Sequence, residues 1–176
     1  MTSSDPNALE PIATTDLTAL ARSGKDTMRM LECRTIARGG FRQEHHVRDL
    51  APFGNWNGPQ TGLLDEETSP SPSELLLAAL GSCLVIGIHA NAVARSIPIT
   101  KLELVLSAEI HFGGIWGAGD LAVAPIGFED ISIAAHIASD APGPVLQSLL
   151  DHVLIWSPVA NSLHNPVSLT AALVPV

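Results

Sequence analysis

A chain of 176 residues, 46% of them hydrophobic, suffices for one compact domain with a real core. Eighteen acidic against nine basic residues leave a net charge of −9, which excludes a general nucleic-acid binder, since phosphate recognition needs a clustered Lys/Arg face. Two cysteines, with no C-x-x-C and no Cys/His cluster, exclude a disulfide scaffold and a structural zinc site.

The start, "MTSSDPNALEP", has neither the basic end nor the apolar stretch of a signal peptide, so a cytoplasmic location is the expectation. Residues 1–25 read as a loosely held segment with a helical turn or two around Thr15–Arg22, and residues 26–176 as a single domain. From Thr27 to Arg48 the pattern is strand-like on both sides of Gly39-Gly40, a pair that reads as a hairpin turn. The stretch from Leu50 to Pro72, dense in Gly, Pro, Asn and Asp, reads as a long loop.

A helix-start signal follows. In "SPSELLLAALGSC", Ser71 takes the N-cap, Pro72 the first helical position and Glu74 the third, which makes a capping box. The helix is expected to run to about Arg95 and to stop before Pro98. Leu75 to Ala94 is uncharged over twenty residues, long enough on paper for a membrane span. Ser82, His89 and Asn91 inside it favour a buried central helix instead. Around Cys83, the positions Ala79, Gly87 and Ala90 share one face, a small-residue stripe that lets a second helix approach closely.

"KLELVLSAEIHF" (101–112) alternates, with Leu102, Leu104, Leu106, Ala108, Ile110 and Phe112 on one face. "GGIWGAGDLAVAPIG" (113–127) reads as a connection or insertion able to cover an apolar mouth. "FEDISIAAHIAS" alternates again through Ile131, Ile133, Ala135 and Ile137 after one offset at Phe128. Pro142–Trp156 has helical spacing, Pro158 interrupts it, "PVANSL" adds a turn, and "PVSLTAALVPV" reads as a closing strand. The fold class is α+β, with two helices packed on antiparallel sheet.

Candidate chemistry centres on Cys83, which is either a reactive thiol or a small side chain filling a helix seam. Glu74 lies nine residues before it, on the opposite side of the helix, and the cap already accounts for it. Cys33 reads as a small core residue and is the one other thiol. His45 and His46 point to opposite faces of a strand, poor geometry for a shared metal, so no metal and no cofactor are expected.

"SPSELLLAALGSC", followed by a helix and then "SPVANSL", resembles the OsmC/Ohr family, the osmotically inducible and organic hydroperoxide resistance proteins. The resemblance covers roughly residues 27–176. It implies an intertwined homodimer with two central helices wrapped by sheets from both chains. It implies attack of a peroxidatic thiolate on an organic hydroperoxide, followed by disulfide formation with a resolving cysteine and reduction by an external dithiol. In this register the peroxidatic position is Cys83. The assisting arginine falls on Arg42, with Arg38 second, and the glutamate on Glu74, one step later than the family's preferred position, which is Ser73 here. The resolving position is Ser157, which cannot form a disulfide. The resemblance therefore implies a one-cysteine peroxidase resolved by an outside thiol, with Cys33 the one alternative within the chain. The alternative is a divergent protein without that activity, which binds a small apolar ligand or serves a structural role.

Overall fold

The computed structural model describes residue 9 and residues 30–38, 41–57, 70–111 and 126–175. Among them are five strands and three helices: β1 Cys33–Ala37, β2 Phe41–Val47, β3 Phe53–Asn57, α1 Pro72–Ala94, β4 Lys101–His111, β5 Gly127–Ala138, α2 Gly143–Trp156 and α3 Pro158–His164. The architecture is α+β with two antiparallel sheets, one in the order β1-β2-β3 and one of β4 with β5. The chain divides into two compact units, residues 20–79 and residues 1–19 with 80–176. The expected turns around Thr15–Arg22, the glycine pair at 39–40 and nearly all of the 113–127 connection lie outside the described residues.

In the first unit, β1 and β2 form the expected hairpin, with Cys33 opposite Val47 and Ala37 opposite Gln43. β3 is a finding, because it occupies a stretch that reads as loop. Gly54, Asn55 and Asn57 have low strand propensity, and the ladder offered by β2 overrides it, setting Phe53 opposite His45. Cys33 opens β1 and is exposed, not the mid-strand core residue expected. Every residue of β1 except Ile36 is exposed, so alternation along this strand does not sort residues into core and solvent. His45 and His46 part as expected. His45 Nδ1 lies 3.0 Å from Thr35 Oγ1 and its ring rests against Phe53, whereas His46 Nε2 meets Glu44 at 2.6 Å. No group of metal-binding side chains occurs among the described residues.

Glu44 also accepts from Arg38 twice, from Nε at 3.1 Å and Nη2 at 2.8 Å. The Arg38 guanidinium foremost, with His46 adding its bond, holds the Glu44 carboxyl down at about 2 against an ordinary 4.5. A depressed carboxyl contributes stability above its unfolded value and loses it as pH falls through the folded one. The expected result is a small decrease in amide protection of the β1–β2 hairpin as pH drops from about 4.5 toward about 2, since the pair is exposed. The Glu44 carboxyl carbon shift, followed by NMR, should titrate near 2 in the native protein and nearer 4.5 in Arg38→Gln.

α1 begins as its capping box dictates. Ser71 N–H donates to Glu74 Oε2 at 2.7 Å, and Glu74 N–H donates to Ser71 Oγ at 3.3 Å. The Ser71 backbone N–H foremost, and the Ser71 side chain after it, hold the Glu74 carboxyl below the usual carboxylate range. Ser71→Ala is expected to cost about 1 kcal/mol in urea unfolding, the typical loss for an N-cap of this kind. At the far end Ser96 takes a positive φ of 56°, and Ile97 N–H donates to Ala92 O at 2.8 Å while Ser96 N–H donates to Val93 O at 3.1 Å. That Schellman closure ends the helix one residue before the expected Arg95.

In the second unit the core is a stripe along α1, Leu80, Leu84, Ile88 and Ala92, closed by Leu149 and Val153 of α2. Spacing of four residues puts the stripe on one helix face. By length and composition α1 could cross a membrane; here its stripe is covered by protein. Leu102, Leu104 and Leu106 of β4 and Ile131, Ile133 and Ile137 of β5 pack against it, the face that alternation assigns to the interior. The offset at Phe128 is a bulge: Glu109 pairs with Asp130 and Ile110 with Phe128, leaving Glu129 between them.

The small-residue stripe works as expected at one point. A Cβ on Gly87 would stand 2.6 Å from Val153 Cγ1, so α1 and α2 cross in close contact there. On another side of α1, a Cβ on Gly81 would meet Leu106 Cδ1 at 3.2 Å. The expected closing strand is absent. Residues 166–175 take no regular structure, and Val167, Leu169, Leu173 and Val174 are exposed. A strand requires an edge to pair with, and no described strand pairs with this segment.

Candidate active site

The geometry of the site follows from the α1–α2 crossing. Cys83 lies one turn before Gly87 on α1, and Ser157 one turn after Val153, directly beyond the end of α2. The two helices cross in opposite directions through the Gly87–Val153 contact, so these neighbouring turns meet. Ser157 Oγ donates to Cys83 Sγ at 3.2 Å, across 74 residues of sequence.

Ser157 is held twice. It is 3% exposed, and it is the N-cap of α3, its Oγ accepting from Ala160 N–H at 3.2 Å. Its carbonyl accepts from Asn161 N–H at 3.0 Å and Asn161 Nδ2 at 2.8 Å. Pro158 sits at the first position of α3, where its missing N–H costs no intrahelical bond. Cys83 is half-buried as a residue, and its sulfur has a fixed neighbour in Ser157.

The register pairing of Cys83 with position 157 is therefore met in space. The donor hydroxyl itself is a feature that sequence reasoning missed. Its signal was available: Ser157-Pro158 repeats the N-cap and first-turn proline of Ser71-Pro72, which marks a fixed cap and not merely an interruption of a helix. Of the other named positions, Glu74 spends its carboxylate on Ser71, and Arg38 spends its guanidinium on Glu44. Arg42 stands in β2 opposite Trp56, with its side chain outside the described residues.

In the same unit a cavity of about 590 Å³ opens between β5, α2 and α3. Leu80, Phe128, Ile131, Ile133, Leu154 and Ile155 make it largely apolar, with Glu129, Asp130, Asn161 and His164 adding polar groups. Neither Cys83 nor Ser157 lines it.

An α+β frame of two antiparallel sheets, carrying one cysteine on a long apolar helix against the capping residue of a short one, defines an OsmC-fold protein. The chain belongs to the OsmC family, whose model, described as OsmC-like protein, matches residues 65–172. An OsmC-like protein from Mycoplasma pneumoniae superimposes with a TM-score of 0.61 at 16% identity, over 78% of this chain and 89% of that one. An OsmC-like protein of unknown function from Vibrio cholerae gives 0.58 at 10% identity, over 77% and 94%. An organic hydroperoxide resistance protein OsmC from Legionella pneumophila gives 0.55 at 14% identity, over 78% and 91%. At these identities the likeness is one of fold. No curated protein matches the chain by sequence.

Proposed function

We propose that this protein is a one-cysteine, thiol-dependent organic hydroperoxide reductase of the cytoplasm, with residues 26–176 as its OsmC-like domain. The observation that carries the reading is the 3.2 Å contact between Cys83 Sγ and the hydroxyl at the family's second redox position. The Cys83 thiolate attacks the outer oxygen of R–O–O–H. The O–O bond breaks, R–O⁻ takes up a proton and leaves as the alcohol, and the sulfur becomes a sulfenic acid. Ser157 has no sulfur to offer, so an external thiol attacks the sulfenic sulfur, expels water and forms a mixed disulfide. A second thiol, from the same dithiol reductant, breaks that disulfide and returns the Cys83 thiolate. Arg42 is the cation proposed to assist, and Glu74, one step past the family's preferred position, the proposed carboxylate.

The same reading takes the working form to be a homodimer. Its support is apolar surface left open on the protomer: Ile86 on α1 is 67% exposed, Trp156 73% and Leu173 96%. In solution the mass should be twice the chain's 18.4 kDa.

The test is consumption of cumene hydroperoxide with excess dithiol, by the native chain and by Cys83→Ser. The substitution is expected to bring the rate to background. Equal background rates in both would overturn the peroxidase and favour the second reading, a binder of a small apolar ligand, for which the cavity of about 590 Å³ speaks.

A further inference from the structure

Ser157 occupies the resolving position, and its inability to form a disulfide marks it at first as a relic. Its surroundings indicate another role. A serine hydroxyl has one proton and two lone pairs. One lone pair receives the Ala160 N–H at 3.2 Å, which fixes the rotor, and the proton is directed at Cys83 Sγ, also at 3.2 Å. With Ser157 only 3% exposed, water does not compete for that proton. Cys83, by contrast, is only half-buried as a residue.

We propose that Ser157 is a positioning residue for Cys83. It donates its O–H to the sulfur and holds the Cys83 side chain in one rotamer against the α3 cap. This rests on the reading of Cys83 as the reacting group. It changes what position 157 contributes, from a second thiol to a fixed donor. The α3 cap supports the site because it orients that donor.

The experiment is alkylation of Cys83 by iodoacetamide across a range of pH, in a Cys33→Ser background so that one thiol reacts. Ser157→Ala is expected to lower the alkylation profile about fivefold, the factor of one hydrogen bond of typical net strength. Ser157→Thr keeps both the donor and the cap and should restore the native profile. A capping role alone would lower the melting temperature of Ser157→Ala and leave the profile unmoved, and that result overturns the proposal. Should Ser157→Ala fail to fold, Ser157→Asp is read in the same way: it can accept the Ala160 N–H and has no proton to give at neutral pH. Alkylation uses no hydroperoxide. A lowered profile in a protein inactive toward cumene hydroperoxide would keep the role of Ser157 and discard the peroxidase. An unmoved profile in an active protein would do the reverse.

Discussion

Ser157→Cys, placed in a Cys33→Ser background and treated with one equivalent of cumene hydroperoxide, is expected to form an intrachain disulfide between positions 83 and 157. The heavy atoms at these positions already stand 3.2 Å apart, about 1 Å more than an S–S bond, and a rotation at either Cβ closes that gap. Oxidised Cys83 would be attacked by the neighbouring thiol with loss of water, and both thiols would disappear together. Mass spectrometry reads this as a loss of two hydrogens and a cross-linked peptide pair. The native chain under the same treatment is expected to hold its oxidising equivalent as sulfenic acid, which dimedone should trap. The bond would join positions 74 residues apart, and the chain-entropy account gives such a closure about 4 kcal/mol. Melting under oxidising conditions should therefore rise by many degrees, and added dithiol should reverse the rise. If Cys83 is oxidised while the thiol at 157 remains free, the contact between α1 and the α3 cap does not exist in solution.

Much of this site could be read from residues because it is local or periodic. Ser71, Pro72 and Glu74 define the start of α1 by hydrogen bonds that span three residues, and the structure forms both. Alternation from Leu102 to Leu106 and from Ile131 to Ile137 names the faces that cover α1, since strand side chains repeat every second residue. The stripe through Cys83 and Gly87 announced a helix crossing, and Val153 supplies it. The features that escaped depend on partners far away in the chain. β3 forms from Gly and Asn because β2 offers a ladder, a fact that propensity cannot register. Cys33, expected in mid-strand, opens β1 and is exposed, because alternation cannot say which strands have a covered face. Residues 166–175 carry a strand-like pattern and pair with no described strand. At Ser157 the register of the second motif located the position, while the direction of its O–H depends on Ala160 N–H and on a helix 74 residues earlier.

Gly87→Val is expected to destabilise the protein by about 2–3 kcal/mol and to disturb the site, although it touches neither Cys83 nor Ser157. Gly87 packs against Val153, and even a single methyl there would stand 2.6 Å from Val153 Cγ1, closer than real side chains approach. Val153 is a β-branched, 3% exposed residue in the core, so it has no flexible end to swing aside. Helices α1 and α2 must separate or rotate, and interiors packed at crystal density do not absorb such a change without loss. The gain in helix propensity on replacing glycine, under about 1 kcal/mol, is too small to offset the overlap. Because Cys83 and Ser157 lie one turn away along each helix, their 3.2 Å contact lengthens with the crossing. In the Ser157→Cys background, Gly87→Val should therefore slow disulfide formation as well as lower the urea midpoint. Val153→Ala supplies the decisive control. Alone it leaves a cavity and costs stability, but combined with Gly87→Val it makes room for the new side chain. The pair should be more stable than the sum of the two losses implies, with a coupling of about 1 kcal/mol or more. Disulfide formation should return with stability. Strict additivity would mean that the helices do not meet at this glycine, and that the position of the Cys83 sulfur is set by something other than their approach.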